Sequence, residues 1–323
     1  MKKITQSFYK GCRKIYASSV GVEKQMRPDC IQDPNIVADI VSKKLLDSSP
    51  AMIARFGSTE LTCMVNYLGV SRSQKEILKY IKGEVPQWWW DDKIIDQMQR
   101  WSGFFPPSEN NLEQFCELML QDIDQLDVLG SWLPAESYFV KDTLDIPKVR
   151  LIYLDPFWAK NPWTLSLKGK KVLVVHPFAT TIEHQYKKRE NLFINGMLPE
   201  FQLKTIKAVQ GLAGTETGFD NWFNALDYMK EEIDKIDFDI CLIGAGAYGF
   251  PLAAHVKRIG KKGFHLGGSL QLLFGIRGKR WETPGYAAAV GLDYRSLVNK
   301  YWVKPSEEER PSKANMVEGA CYW

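Results

Sequence analysis

The sequence predicts an α/β fold: a Rossmann-like, mostly parallel sheet flanked by helices, with an N-terminal helical arm. Three observations predict it. Apolar runs of strand length, such as KKVLVVHPF at 170–178 and FDICLIGAG at 238–246, alternate with segments of helical period. Several of these runs end in glycines or short polar residues that lead straight into a helix. One such turn, Gly244–Gly249, reads GAGAYG, a full G-x-G-x-x-G between a predicted strand and a predicted helix.

Residues 1–44 are an arm, 45–303 the main domain and 304–323 a charged, proline-bearing tail. The arm begins MKKITQSFYKGCRKIY, basic but without the apolar stretch of a signal peptide. As a helix it carries Ile4, Phe8 and Ile15 on one side and lysines on the other. A solvated arm and a weak contact with an anionic membrane surface both fit that pattern. PAMIARFG (50–57) reads as a strand and STELTCMVNYL (58–68) as a helix. Residues 85–107 read as an aromatic-rich helical segment ending at two prolines, 112–126 as an amphipathic helix and 127–132 as a short strand. After the 170–178 strand a helix starts near 181, with Thr180 and Glu183 spaced as a capping box. A strand lies within 203–213. The loop GTETG then leads to the helix 219–235, and the strand 238–246 to the helix 251–262. GFHLGG (263–268) is the last strand and SLQLLFGI (269–276) the last helix.

Composition excludes several classes. With 323 residues, 45% hydrophobic and 25% charged, the chain has ordinary globular values and can bury a sizeable core. The net charge is only +4 and the basic residues are dispersed, so nucleic acid is not the expected partner. No apolar run has the ~18–20 residues of a membrane span. The six cysteines are scattered without a CxxC pair and read as reduced thiols, and the four histidines lack metal-ligand spacing. The expected location is the cytoplasm, or the inner face of the cytoplasmic membrane as a peripheral protein.

A parallel sheet presents its ligand crevice at the carboxyl ends of the strands. Five features collect there: Arg55, Gly57, Ser58 and Glu60; His176 with Pro177; Gly214–Thr217, including Glu216; Gly244, Gly246, Tyr248 and Gly249; and His265 with Gly267, Gly268 and Ser269. Helix N-termini and glycine turns favour an anion, so a phosphate-bearing ligand fits best. GAGAYG alone suggests a dinucleotide. However, the next strand ends in His265, where a nicotinamide dinucleotide site wants a carboxylate for the ribose hydroxyls. A plain tight turn, or a turn facing another phosphate or sugar ligand, are the other readings. Glu60 sits in a first helical turn, where the dipole alone stabilises it; the functional reading has it touching a metal or a sugar hydroxyl. Lys279 and Arg280 follow a glycine turn and either neutralise a diphosphate or form a solvated basic loop. Trp88–Trp90, Trp101, Phe104 and Phe105 read as core or as a stacking platform. Asp237-Phe-Asp239 lies at the wrong end of its strand and Asp122-Ile-Asp124 in mid-helix, so neither is read as a metal site. No G-x-S-x-G, H-E-x-x-H or P-loop occurs.

The turn PAMIARFGSTEL resembles the R-F-G-D-G-E turn of bacterial glycosyltransferases of the GT-D type, Rossmann-like enzymes that use a nucleotide-sugar donor. The stretches KGKKVLVVHPFATTIEHQYKKR, LPEFQLKTIKAVQ, FDICLIGAGAYGFPLAAHVKRIGKKGFHLGG and LQLLFGIRGKRW are also similar to bacterial proteins associated with surface-polysaccharide synthesis. The resemblance spans roughly residues 45–303. Arg55, Phe56, Gly57 and Glu60 match the family turn, while Ser58 stands where the family has an aspartate that serves the metal and donor.

The resemblance implies transfer of a sugar from a nucleotide-diphosphate donor, a UDP-sugar by preference, to a glycan or lipid-linked acceptor, with Mn²⁺ or Mg²⁺ in doubt because of Ser58. Glu60 would contact the metal or the donor sugar. His176, Glu216 and Asp155, in that order, are the candidate bases. Arg55, Gly57, Ser58, Gly244, Gly246, Tyr248, His265, Gly267, Lys279 and Arg280 would hold the donor. The rivals are an NAD(P)-dependent oxidoreductase and a non-catalytic nucleotide-sugar-binding scaffold, the latter kept open by Ser58.

Overall fold

The computed structural model describes residues 3–22, 25–143, 145–193, 196–310 and Tyr322, the side chain of Ala213 excepted. The chain runs α1 (Lys3–Ser19), α2 (Pro34–Leu46), β1 (Ala51–Ala54), α3 (Ser58–Val70), α4 (Ile77–Lys82), α5 (Asp92–Arg100), α6 (Glu109–Ile123), β2 (Val128–Ser131) and β3 (Lys148–Arg150). It continues β4 (Lys171–His176), α7 (Ala179–Tyr186), α8 (Arg189–Leu192), β5 (Gln202–Lys207), α9 (Trp222–Asp234), β6 (Ile240–Ile243), α10 (Gly249–Arg258), β7 (Lys262–His265), α11 (Leu270–Leu273) and α12 (Lys279–Glu282). Short 3₁₀ turns link many of these elements.

The strands form one seven-stranded sheet in the order β3-β2-β1-β7-β6-β4-β5. Every pairing is parallel. The central strands are buried on both faces, which explains their near-continuous apolar sequences. Alternation along β4 divides the core: Leu173 and Val175 face a layer containing α3, α6, α9 and α10, while Val172 and Val174 face a layer containing α2, α7 and α11. β4 and β6 are neighbours, yet β4 leads into α7 on one face and β6 into α10 on the other. Connections that leave adjacent strands toward opposite faces open a crevice above them, and this is where the site lies.

Local chemistry accounts for departures from the expected elements. α2 falls in a region the sequence pattern left unstructured. Asp33 caps it by accepting from the Asn35 and Ile36 amides, and Pro34 takes the first helical position. β3 also went unread, because a strand of only three residues carries no usable period. Within 85–107 only Asp92–Arg100 is helical. It starts at the Asp91 cap and stops before Gly103, whose φ of 67° does not continue a helix. The expected capping box at Thr180 is absent. The carboxylate of Glu309 instead accepts from the Thr180 amide at 2.8 Å and the Thr181 amide at 3.2 Å, while Glu183 accepts from the hydroxyl of Thr205. α1 is indeed helical and packs on α4. Tyr9 meets Trp88 edge-on, Arg13 lies over Tyr80, and Lys3 and Lys10 pair with Asp92 and Asp91, both at 2.7 Å. No described helix is long and apolar enough to cross a membrane.

Candidate functional site

A crevice of about 500 Å³ opens at the carboxyl ends of the strands, within the size range of small-molecule sites. Its walls are the ends of β1 (Arg55, Gly57–Glu60), β4 (His176–Phe178), β5 (Val209–Leu212), β6 (Gly244–Gly246, Tyr248) and β7 (His265, Gly267, Gly268). Trp101, Ser102, Trp132, Gln271, Arg280, Tyr286 and Tyr322 complete it.

The three motif glycines each have a physical role. A Cβ on Gly244 would fall 2.5 Å from Cδ2 of His176 and 2.7 Å from the Gly267 carbonyl. A Cβ on Gly249 would fall 2.1 Å from the ring of His265. Gly246 adopts φ +54°, in the left-handed region that glycine favours. Two of the three glycines thus make room for buried histidine rings.

Those histidines are held in opposite tautomers. The Phe178 amide donates to Nδ1 of His176 at 3.0 Å, so the ring proton sits on Nε2. His265 uses Nδ1–H toward the Ile243 carbonyl at 3.3 Å, which leaves its Nε2 as an acceptor. Burial lowers both from the ordinary 6.5 to about 3, and for His265 the nearby Arg55 charge adds to the effect. Both are neutral at physiological pH. His176 therefore offers a proton donor, its only basic nitrogen being occupied.

Arg55 is the cation at the centre. Its Nη1 donates to the Phe56 carbonyl at 3.1 Å, and its guanidinium lies 5.7 Å from the Trp132 ring centroid. A Cβ on Gly267 would fall 2.8 Å from Nη2, so that glycine lets the guanidinium sit against the backbone. The buried Nε of Arg55 has no hydrogen-bond partner among the described residues. Asp155 lies close behind. Burial raises its carboxyl to about 6, against the opposing pull of hydrogen bonds from Tyr294 and Ser269 and the charge of Arg55. It is buried and does not line the crevice.

Glu60, in the first turn of α3, is 9% exposed and is the carboxylate residue among the described residues that line the crevice. It folds back over Gly57, where a Cβ would fall 1.8 Å from Oε2. Ser58 is exposed at the start of the same helix, whose N-terminal turn opens onto the crevice. Trp132 is aimed by its Nε1–H bond to the Phe56 carbonyl at 3.0 Å and by Glu136, which accepts from the Trp132 and Leu133 amides at 2.9 Å. Tyr248 stacks on Trp222 at 4.7 Å, burial pushes its phenol far up, and its hydroxyl has no partner. Arg280 bonds the hydroxyl of Tyr322 at 3.1 Å and lies 4.7 Å over its ring.

Four buried polar atoms without a hydrogen-bond partner therefore belong to crevice residues: Arg55 Nε, Ser102 Oγ, Tyr248 Oη and Gln271 Oε1. A buried unpaired polar atom costs about 1–3 kcal/mol, a cost that a polar ligand seated in the crevice would relieve for those atoms it reaches.

Most of the candidate catalytic and donor-binding residues come together here; Asp155, buried behind the wall, does not line it, and two more lie on the surface. Glu216 is exposed on the loop after β5, and Lys279 is exposed on α12, so neither lines the crevice. The strand-end rule selects the correct end of the sheet but not which part of a long loop turns inward. Ser102, Trp132, Gln271, Tyr286 and Tyr322 went unread. Gln271 had a local signal, a lone polar residue inside the apolar run LQLLF; the others had none. Trp101, 42% exposed, faces the crevice, whereas Trp89, Trp90 and Phe104 are core. Asp237 and Asp239 bond the side chain and amide of Lys171, at the opposite end of the sheet. Among the described residues no three His, Cys, Asp or Glu side chains converge as metal ligands.

No protein-family model matches the chain, and no curated protein matches it. Among solved structures it is similar to a selenomethionine-substituted domain of unknown function 1792 (DUF1792), at 12% identity and a TM-score of 0.34, over 93% of this chain and 96% of that one.

Proposed function

We propose that the crevice binds a nucleotide-diphosphate sugar, a UDP-sugar first among them, and transfers its sugar to a hydroxyl of a glycan or lipid-linked acceptor. The observation that carries the reading is that the crevice lined by Arg55 and Arg280 also holds four buried polar atoms without a hydrogen-bond partner. That combination asks for a ligand both anionic and rich in hydrogen-bonding groups. The guanidinium groups and the first turn of α3 would meet the diphosphate. Trp101, Trp132 and Tyr286, each partly exposed on the wall, offer faces for a base or sugar ring. The resemblance of Arg55–Glu60 to the glycosyltransferase turn points the same way.

Within this reading the roles of the acidic and basic groups are redistributed. His176 donates its Nε2–H to a ligand oxygen, because its other nitrogen is already engaged. Glu60 is the carboxylate able to touch the sugar or take a proton from the acceptor hydroxyl. Asp155 sets the electrostatics of Arg55 from behind. Glu60 alone does not make a protein site for a divalent ion, so the diphosphate charge is assigned to Arg55 and Arg280. Two features weigh against a nicotinamide dinucleotide: β7 ends in a neutral histidine, and Gly244 and Gly249 are taken up by histidine rings.

The test is a screen of UDP-, GDP-, CMP- and dTDP-sugars by donor hydrolysis and thermal shift, with and without Mn²⁺ or Mg²⁺, and with NAD(P) alongside. Turnover and stabilisation by a nucleotide-sugar are expected. No response to any donor, or stabilisation by NAD(P) alone, overturns the reading.

A further inference from the structure

We propose that α1 is a membrane-docking helix whose outward face seats on an anionic lipid surface. The helix turns its amphipathic pattern the wrong way round for a helix that only packs on its own protein. Its half-buried, inward residues are Thr5, Gln6, Tyr9, Cys12, Arg13 and Tyr16. Its apolar residues point outward instead: Ile4 is 84% exposed, Phe8 64% and Ile15 67%. With Gly11 between them they follow the i, i+4, i+7, i+11 spacing of a single helical stripe.

Lone exposed apolar side chains need no explanation, but a continuous stripe on one helix does. The inward contacts hold that stripe in place. Tyr9 against Trp88 and the pairs Lys3–Asp92 and Lys10–Asp91 fix the rotation of α1 on the body. The stripe is therefore presented to solvent by a rigid mount.

Charge selects the occupant. α1 carries Lys3, Lys10, Arg13 and Lys14 and no carboxylate. Lys14, exposed, borders the stripe on one side by helical geometry, whereas Lys3 and Lys10 on that side have their ammonium groups paired with Asp92 and Asp91. An apolar stripe bordered by Lys14, on a helix without a carboxylate, fits the headgroup–acyl boundary of an anionic bilayer: the apolar residues enter it and the Lys14 stem lets its ammonium reach the headgroups. A second copy of the chain would bring the same lysines face to face. The inference does not depend on what the crevice binds.

The test is co-sedimentation of the full chain with vesicles of phosphatidylcholine alone and of phosphatidylcholine mixed with phosphatidylglycerol. A triple variant, Ile4→Gln, Phe8→Gln and Ile15→Gln, alters side chains that project away from the body, and thermal unfolding verifies its fold. Because one short helix binds reversibly, the wild type is expected to sediment partially with anionic vesicles and not with neutral ones, and the triple variant to lose about fivefold of that bound fraction. A Lys14→Glu variant is expected to weaken binding in a salt-dependent manner. Three results overturn the proposal: no binding by the wild type, unchanged binding by the triple variant, or a dimer in solution that the triple variant abolishes while neither protein sediments with lipid.

Discussion

The imidazole of His265 occupies the space that a side chain at Gly249 would need, with its Nδ1 2.1 Å from an ideal Cβ there. Both groups are buried and neither backbone can retreat: Gly249 opens α10, and His265 ends β7 in the middle of the sheet. Gly249→Ala is expected to cost about 1–3 kcal/mol in chemical denaturation, as overpacking does. Adding His265→Ala should return part of that loss, because the two changes share one clash. A fully additive double variant would show that the contact is not the cause.

Arg55→Gln removes the central cation while keeping a polar side chain. Charged hydrogen bonds contribute about 1.5–3 kcal/mol, so donor affinity by calorimetry should fall about 10- to 100-fold. Arg55→Lys should recover little, since a point charge replaces a planar fork. An unaltered affinity in Arg55→Gln would remove this residue from the donor site.

Glu60→Gln keeps the shape of the side chain folded over Gly57 and removes its basicity. Turnover should drop by about 10²–10⁴-fold with donor affinity little changed, the pattern of a lost proton acceptor. Glu216→Gln, on the exposed loop, should leave kcat and KM at wild-type values. Full activity in Glu60→Gln would exclude it from the chemistry.

Stability should fall in mild acid. His176 and His265 have folded pKa values of about 3 against 6.5 for the free group, so between those values the unfolded chain binds more protons. Their contribution is complete above pH 6.5 and is lost as pH falls, by up to ~1.4 kcal/mol per pH unit for each histidine. Asp155 and Asp122 act oppositely: burial raises both to about 6 from the free 3.8, so they favour the fold most below the lower value and less as pH rises through the higher one. The free histidines take up protons from about pH 6.5, above the carboxylates' folded value of about 6, so urea midpoints should decrease modestly from about pH 7 to about pH 6 and then level off as the two opposing pairs nearly cancel. His176→Asn should flatten the slope, and Asp155→Asn should steepen it.

Glu309→Ala removes the carboxylate that caps α7. A lost cap typically costs about 1 kcal/mol, and the helix dipole adds a few tenths more. Limited proteolysis should also cut the chain near residue 305 more readily, because the same carboxylate accepts from Ser306 and Thr181.

The sheet was legible because β1, β4 and β6 are largely apolar on both faces and because β1, β6 and β7 run into glycines. The crevice was half legible for a related reason. In a parallel sheet the chemistry gathers at strand ends, and Arg55, Glu60, His176, His265 and Tyr248 all lie there. The rest depends on contacts across long separations. Asp33-Pro34 spells the start of α2, but the four residues Val37, Ala38, Val41 and Leu45 that it buries form too short a stripe to stand out as a period. The tautomer of His176 is decided by an amide two residues on, and the neutral state of both rings by burial that no local pattern encodes. Ser102 and Tyr286 sit in irregular segments, where position in the chain says nothing about which way a side chain turns.

The Glu309 cap also bears on how the chain is made. Its amide partner Thr180 lies 129 residues earlier. As the polypeptide leaves the ribosome, β4 and α7 emerge long before the carboxylate that completes them, so the start of α7 waits with its amides hydrated through the synthesis of β5, β6 and β7. Pairing across such a separation is slow to nucleate. The locking of α7 therefore waits for the synthesis of residue 309, and a fragment ending at 303 would lack that lock.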